Sequence, residues 1–145
     1  MKNKIILILY FMIICVGLLA TTVTAEQLIL NRFYNQTNHS VNIHITNKDF
    51  EYNKTVPANT NQTFDWASIV LADQGVLSHH DGGNGVITID GVQYNYSWLK
   101  HEHFFDIVIN GIGTLRDIGI YPAQGRAWMA MELNSKDQIS LSKGA

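Results

Sequence analysis

The stretch Val86-Ile87-Thr88-Ile89-Asp90-Gly91-Val92-Gln93-Tyr94-Asn95-Tyr96-Ser97-Trp98 decides how the rest of the chain is read. Asp90-Gly91 is a dipeptide that suits a two-residue type I′ turn, in which both central positions need positive φ. Closing the turn there sets Ile89 opposite Val92 and Ile87 opposite Tyr94, with Tyr96 on the same face. Thr88, Gln93, Asn95 and Ser97 then share the other face. One register separates apolar from polar side chains on both strands, which is the requirement for a sheet with one wet face.

Short strands extend outward from this hairpin in both directions. Ile43 and Ile45 alternate with Asn42 and His44, and residues 28–34 read as the strand before them. Phe50 and Tyr52 alternate with Glu51 and Asn53, and Val56-Pro57-Ala58-Asn59 is a turn because Pro cannot donate to a ladder. Residues 62–66 read as a strand, while residues 67–75 are ambiguous and admit a single helical turn. A second hairpin is expected at Asn110-Gly111, between residues 103–109 and 112–121, with Gly113 and Gly119 as bulge sites. Residues 126–133 form the last firm strand, and residues 134–145 a polar end with room for an edge strand at 139–141. The expectation is all-β: a single antiparallel β-sandwich, or small barrel, of about eight short strands.

The N-terminus sets the compartment. Lys2 and Lys4 precede the apolar run 5–20, and Val23-Thr24-Ala25 offers small residues for a signal peptidase. Residues 1–25 therefore read as a secretory signal peptide, with residues 26–145 as one secreted domain. The apolar run is shorter than the roughly 20 residues of a membrane span, and no second one follows it, so no transmembrane anchor is expected. Cys15, the only cysteine, lies in the signal peptide, so the mature domain is expected to rely on its core without disulfides. Met12-Ile13-Ile14 before Cys15 lacks the small residue a lipoprotein site needs. Loss of Lys2 and Lys4 takes the formal charge from −2 to −4. With no basic stripe, nucleic acid is not an expected partner.

Five Asn-x-Ser/Thr sequons follow residue 25, at Asn35, Asn38, Asn53, Asn61 and Asn95. With 12 Asn and 14 Ser or Thr in residues 26–145, chance would produce about 1.4. The excess points to an N-glycosylated protein of a eukaryotic secretory pathway, with acceptors on the surface. Asn35 and Asn38 are close enough to crowd one another.

No motif selects a catalytic set. His101-Glu102-His103 puts two imidazoles on one face if the segment is extended, and His79-His80-Asp81 adds two more and a carboxylate. These residue types suit Zn²⁺ or Cu²⁺, but the spacing matches no established metal motif, and solvent-facing loop histidines are the favoured reading. Met129 and Met131 share a face with Ala127 and Leu133, so core packing is favoured over Cu(I) binding. Asp81-Gly82-Gly83-Asn84-Gly85 leads into a strand rather than a helix, which makes it a flexible connection and not a phosphate cradle. Ser78, His79 and Asp81 hold triad residue types, yet chain neighbours rarely reach triad geometry, and no Gly-x-Ser-x-Gly elbow is present. No cofactor is expected. Trp98, at a strand end, is read as core, with exposure toward a sugar or lipid as the alternative.

The Pro57 turn, the Gly-rich segment entering a strand and the aromatic strand end together resemble small secreted lipid-binding β-sandwiches of the aegerolysin and actinoporin kind. The resemblance covers about half of the mature chain and implies no site residue. The leading functional expectation is a non-catalytic extracellular binding module for an unidentified ligand or protein. The competitors are a lipid-binding sandwich, which needs exposed aromatics around Trp98 and Trp128, and a histidine-based metal protein or hydrolase.

Overall fold

Alternation of buried and exposed side chains governs most of the chain, and it produces strands and no helix among the described residues of the computed structural model, 25–64, 69–75 and 81–144. The expected signal peptide lies almost wholly outside those residues. Among the described residues eleven strands form two sheets, where about eight were expected. The first sheet has the order β11-β10-β1-β4, built from β11 (Ile139–Lys143), β10 (Arg126–Leu133), β1 (Gln27–Asn35) and β4 (Thr60–Thr63). β5 (Val70–Asp73) pairs with the first half of β1 on the side where β4 pairs with its second half. The second sheet runs β3-β2-β6-β7-β8-β9: β3 (Glu51–Val56), β2 (Val41–Asn47), β6 (Gly82–Ile89), β7 (Val92–His101), β8 (Phe104–Ile109) and β9 (Gly113–Gly119). The two sheets stack as an open β-sandwich.

The hairpin at 86–98 has the expected register, with Ile89 paired to Val92 and Ile87 to Tyr94, and with φ of 51° at Asp90 and 83° at Gly91. The first sheet departs from a purely antiparallel arrangement. β1 and β10 run parallel, from Gln27 beside Arg126 to Asn35 beside Leu133. β1 carries a bulge between Leu30 and Arg32. Leu28 and Leu30 face the core before it, Phe33 and Asn35 are buried after it, and Arg32 is turned out. An extra residue shifts the two-residue period by one, so a single strand follows the switch from even to odd apolar positions.

The core between the sheets includes Leu28, Leu30 and Phe33 from β1, Ile43 and Ile45 from β2, and Ile87, Tyr96, Phe105 and Ile107 from the second sheet. Met129 and Met131 are buried within it, as core packing requires. Each such side chain contributes about 1.5–3 kcal/mol.

Two local readings need correction. The segment 82–85 is not a flexible connection but the start of β6, paired with β7 so that Gly83 faces Trp98 and Gly85 faces Tyr96. The aromatic rings lie over these glycines: a Cβ on Gly83 would sit 2.7 Å from the indole nitrogen, and one on Gly85 would overlap the Tyr96 ring. In the second hairpin the bulge falls at Arg116 and Asp117, between the Phe105–Ile118 and Ile107–Leu115 pairs, rather than at Gly113 or Gly119. Within the ambiguous stretch, residues 70–73 are strand β5, not a helical turn.

Candidate functional site

β7 and β8 each send every second side chain away from the core, and this outer face gathers the features with chemical capability. Leu99 and His101 come from β7, and Phe104, Asp106 and Val108 from β8. Leu99 pairs with Asp106, and His101 pairs with Phe104, their rings 5.9 Å apart. The bulge in β9 adds Asp117, whose φ of 54° lies in the left-handed region.

His101 Nε2 lies 3.2 Å from Asp106 Oδ1 and 3.8 Å from Asp117 Oδ1. The Asp117 N–H donates to Asp106 Oδ1 at 2.8 Å, and Arg116 Nη1 is 3.7 Å from Asp106 Oδ2. Burial by itself raises the Asp106 pKa, but the Asp117 N–H bond, the His101 imidazole and the Arg116 guanidinium outweigh it, so the carboxyl lies below its ordinary value of 3.8. Nitrogen and oxygen atoms of His101, Asp106 and Asp117 all fall within 4.8 Å of one another, a spacing that a divalent cation would accept. The same atoms already contact one another across three strands, so the cluster ties β7, β8 and β9 together.

Of the histidines singled out from the sequence, His101 and His103 are among the described residues. His79 and His80, with Ser78, lie outside the described residues. Asp81 is exposed, and its backbone oxygen accepts from Lys100 N. His103 does not share a face with His101: Glu102, with φ of 48°, and His103 form the two-residue turn between β7 and β8. Sequence reasoning does not single out Asp106 or Asp117. Asp106 is legible in principle, because a turn at Glu102-His103 sets it opposite Leu99, beside His101. Asp117 depends on the bulge, which no local signal marks.

The five sequons also part company. Asn38, Asn53, Asn61 and Asn95 are exposed. Asn35 is not a surface acceptor: it is 0% exposed, and its amide nitrogen donates to the carbonyls of His39, Val56 and Pro57 at 2.8, 3.2 and 3.0 Å. A sugar would take one of the two hydrogens of that nitrogen and need space that the buried site does not offer, so modification at Asn35 conflicts with this packing.

The aromatics are sorted as sharply. Trp98 is 7% exposed and packs edge-on against Phe105 at 5.8 Å. Trp128 is half-buried and lies against Tyr121, the rings tilted by 31° with centroids 4.8 Å apart. No protein family, curated protein or solved structure matches the chain.

Proposed function

We propose that the mature chain is a secreted, N-glycosylated β-sandwich that binds a protein partner, without catalysis, through the outer face of β7 and β8. One observation carries the reading. Among the described residues, four of the five exposed large apolar side chains, Leu99, Phe104, Val108 and Tyr121, follow Trp98, and the first three share the outer face of β7 and β8. Exposed apolar area beside fixed charges is where a protein partner finds desolvatable surface, and Asn95, on the same face of β7, marks one edge of it. Leu99 at 61% and Val108 at 38% exposure flank Asp106, which supplies a fixed charge for orientation. Secretion is supported by the first 25 residues and by the position of β1, which begins at Gln27, just past the expected cleavage point.

A protein partner fits better than a lipid surface. Trp98, the aromatic on which lipid insertion would depend, is buried. The exposed apolar side chains are interleaved with His101, Asp106, Arg116 and Asp117, and ionised groups at the same depth oppose entry into hydrocarbon.

The test applies labelled secreted protein to cells of its native host and to phosphatidylcholine–phosphatidylserine vesicles. Saturable binding to cells, lost after protease treatment of the cells and weakened by Leu99→Ser with Val108→Ser, is the expected result. Sedimentation with vesicles would overturn the protein reading in favour of lipid. N-terminal sequencing should find Glu26 first, and an N-glycan amidase should lower the mass; a full-length, unshifted chain would remove the secretory reading.

A further inference from the structure

Asn95 differs from the other exposed acceptors in where it sits. It lines a groove of about 570 Å³ on the outer face of the second sheet, with Val86 and Asn84 of β6, Thr46 of β2, Lys48 beyond it and Asn110 past β8. Thr46, Val86 and Asn95 form one cross-strand row, and Asn84 pairs with Ser97. The Asn110 N–H donates to the Asn95 carbonyl at 2.9 Å, which fixes the groove's far wall.

The polar groups here are idle. Some exposed amides bond to neighbours, as Asn42 Nδ2 does to Asn53 Oδ1 at 2.6 Å and Asn134 to Gln138 at 3.1 Å, whereas here several idle groups converge on one groove. Among the described residues, the side chains of Asn84, Asn95 and Asn110, the hydroxyls of Thr46 and Ser97, and the Lys48 ammonium make no bond to protein. Amides and hydroxyls around a small apolar floor suit a neutral, hydroxyl-rich ligand, whose C–H faces would lie on Val86. The volume is within the usual range for a ligand site.

We infer that the occupant is the chain's own glycan: the first sugars attached to Asn95 fold back into this groove and bond to its amides and hydroxyls. Attachment makes the contact intramolecular, so weak individual bonds suffice. The glycan at Asn95 is then a packed part of the sheet, whereas those at Asn53 and Asn61 extend into solvent. This inference rests on the glycosylation reading above.

The experiment uses the full chain secreted from a eukaryotic cell. Glycopeptide mass spectrometry measures occupancy at each sequon, and native-state treatment with an N-glycan amidase gives a release rate for each. Release from Asn95 is expected to be slower than from Asn53 and Asn61 by about ten-fold, the factor that roughly 1.4 kcal/mol of sequestration produces. Asn84→Ala with Asn110→Ala, both exposed positions, should close that gap while leaving occupancy unchanged. Equal native rates at an occupied Asn95 would overturn the inference, and this comparison needs no variant. An unmodified Asn95 beside occupied Asn53 and Asn61 would also overturn it and leave the glycosylation reading standing. A chain with no sugar at any sequon would remove both.

Discussion

Thr37 Oγ1 donates a 2.7 Å hydrogen bond to Asn35 Oδ1, so the two ends of one Asn-x-Thr sequon bind each other inside the protein. The Thr37 N–H reaches the same oxygen at 3.0 Å. Asn35 lies at the end of β1 in the first sheet, and Val56 and Pro57 lie at the end of β3 in the second, so one amide joins the two sheets.

Asn35→Ala should therefore be among the most damaging single substitutions in the chain. It leaves the carbonyls of His39, Val56 and Pro57 without this partner, and the expected loss is about 2–4 kcal/mol. Asn38→Gln, at an exposed position, should stay within about 0.5 kcal/mol. Denaturant midpoints of the two variants, made without glycans, check this; similar midpoints would mean that Asn35 does not join the sheets.

Gly91→Val tests the hairpin through the backbone alone. A Cβ at Gly91 meets no atom within 4 Å, so the cost comes from its φ of 83°. Strain of that kind is worth about 1–3 kcal/mol. Thr88→Ser on the outer face should be close to neutral. Equal urea midpoints for the pair would contradict the turn.

Gly85→Ala should destabilise by about 1–3 kcal/mol through overpacking against Tyr96. Tyr96 has little freedom to retreat, because its hydroxyl donates to Leu71 O at 2.8 Å and accepts from Asn47. Burial, opposed by the Asn47 bond, pushes its pKa up to about 12. Gly119→Ala is the control, since a Cβ there also meets nothing. A tyrosine absorbance titration adds a second measurement: Gly85→Ala should bring one phenol back toward its ordinary value.

Asp106 predicts the acid limb of the stability curve. Its folded pKa lies below the ordinary 3.8, so on acidification the unfolded state binds its proton first. The stability it contributes is present above the ordinary value and is lost as pH falls through the lowered folded one. Asp106→Asn should remove that part of the slope below about pH 4, the ordinary carboxylate range. Urea melts between neutral pH and strong acid would reveal it, and an unchanged slope would mean that the His101–Asp106–Asp117 cluster is not formed in solution.

Local pairing accounts for the features that are legible in the amino-acid sequence. In the hairpin at 86–98 the partners are separated only by Asp90-Gly91, so composition and alternation carry the register, and with it the all-β class and the burial of Ile87 and Tyr96. Continued along the chain, that register also sets Gly85 against Tyr96 and Gly83 against Trp98, although the glycines taken by themselves suggest a loop. Other features depend on residues brought together from afar. The parallel pairing of Gln27 with Arg126 joins strands that share no turn, and nothing in either strand names its neighbour. Asp117 meets His101 only because β9 bulges. Asn35 carries the same three-residue signature as Asn61, yet one is sealed beneath Val56 and Pro57 and the other is exposed. A sequon is a property of three consecutive residues, whereas burial is decided by what the rest of the chain lays on top of them.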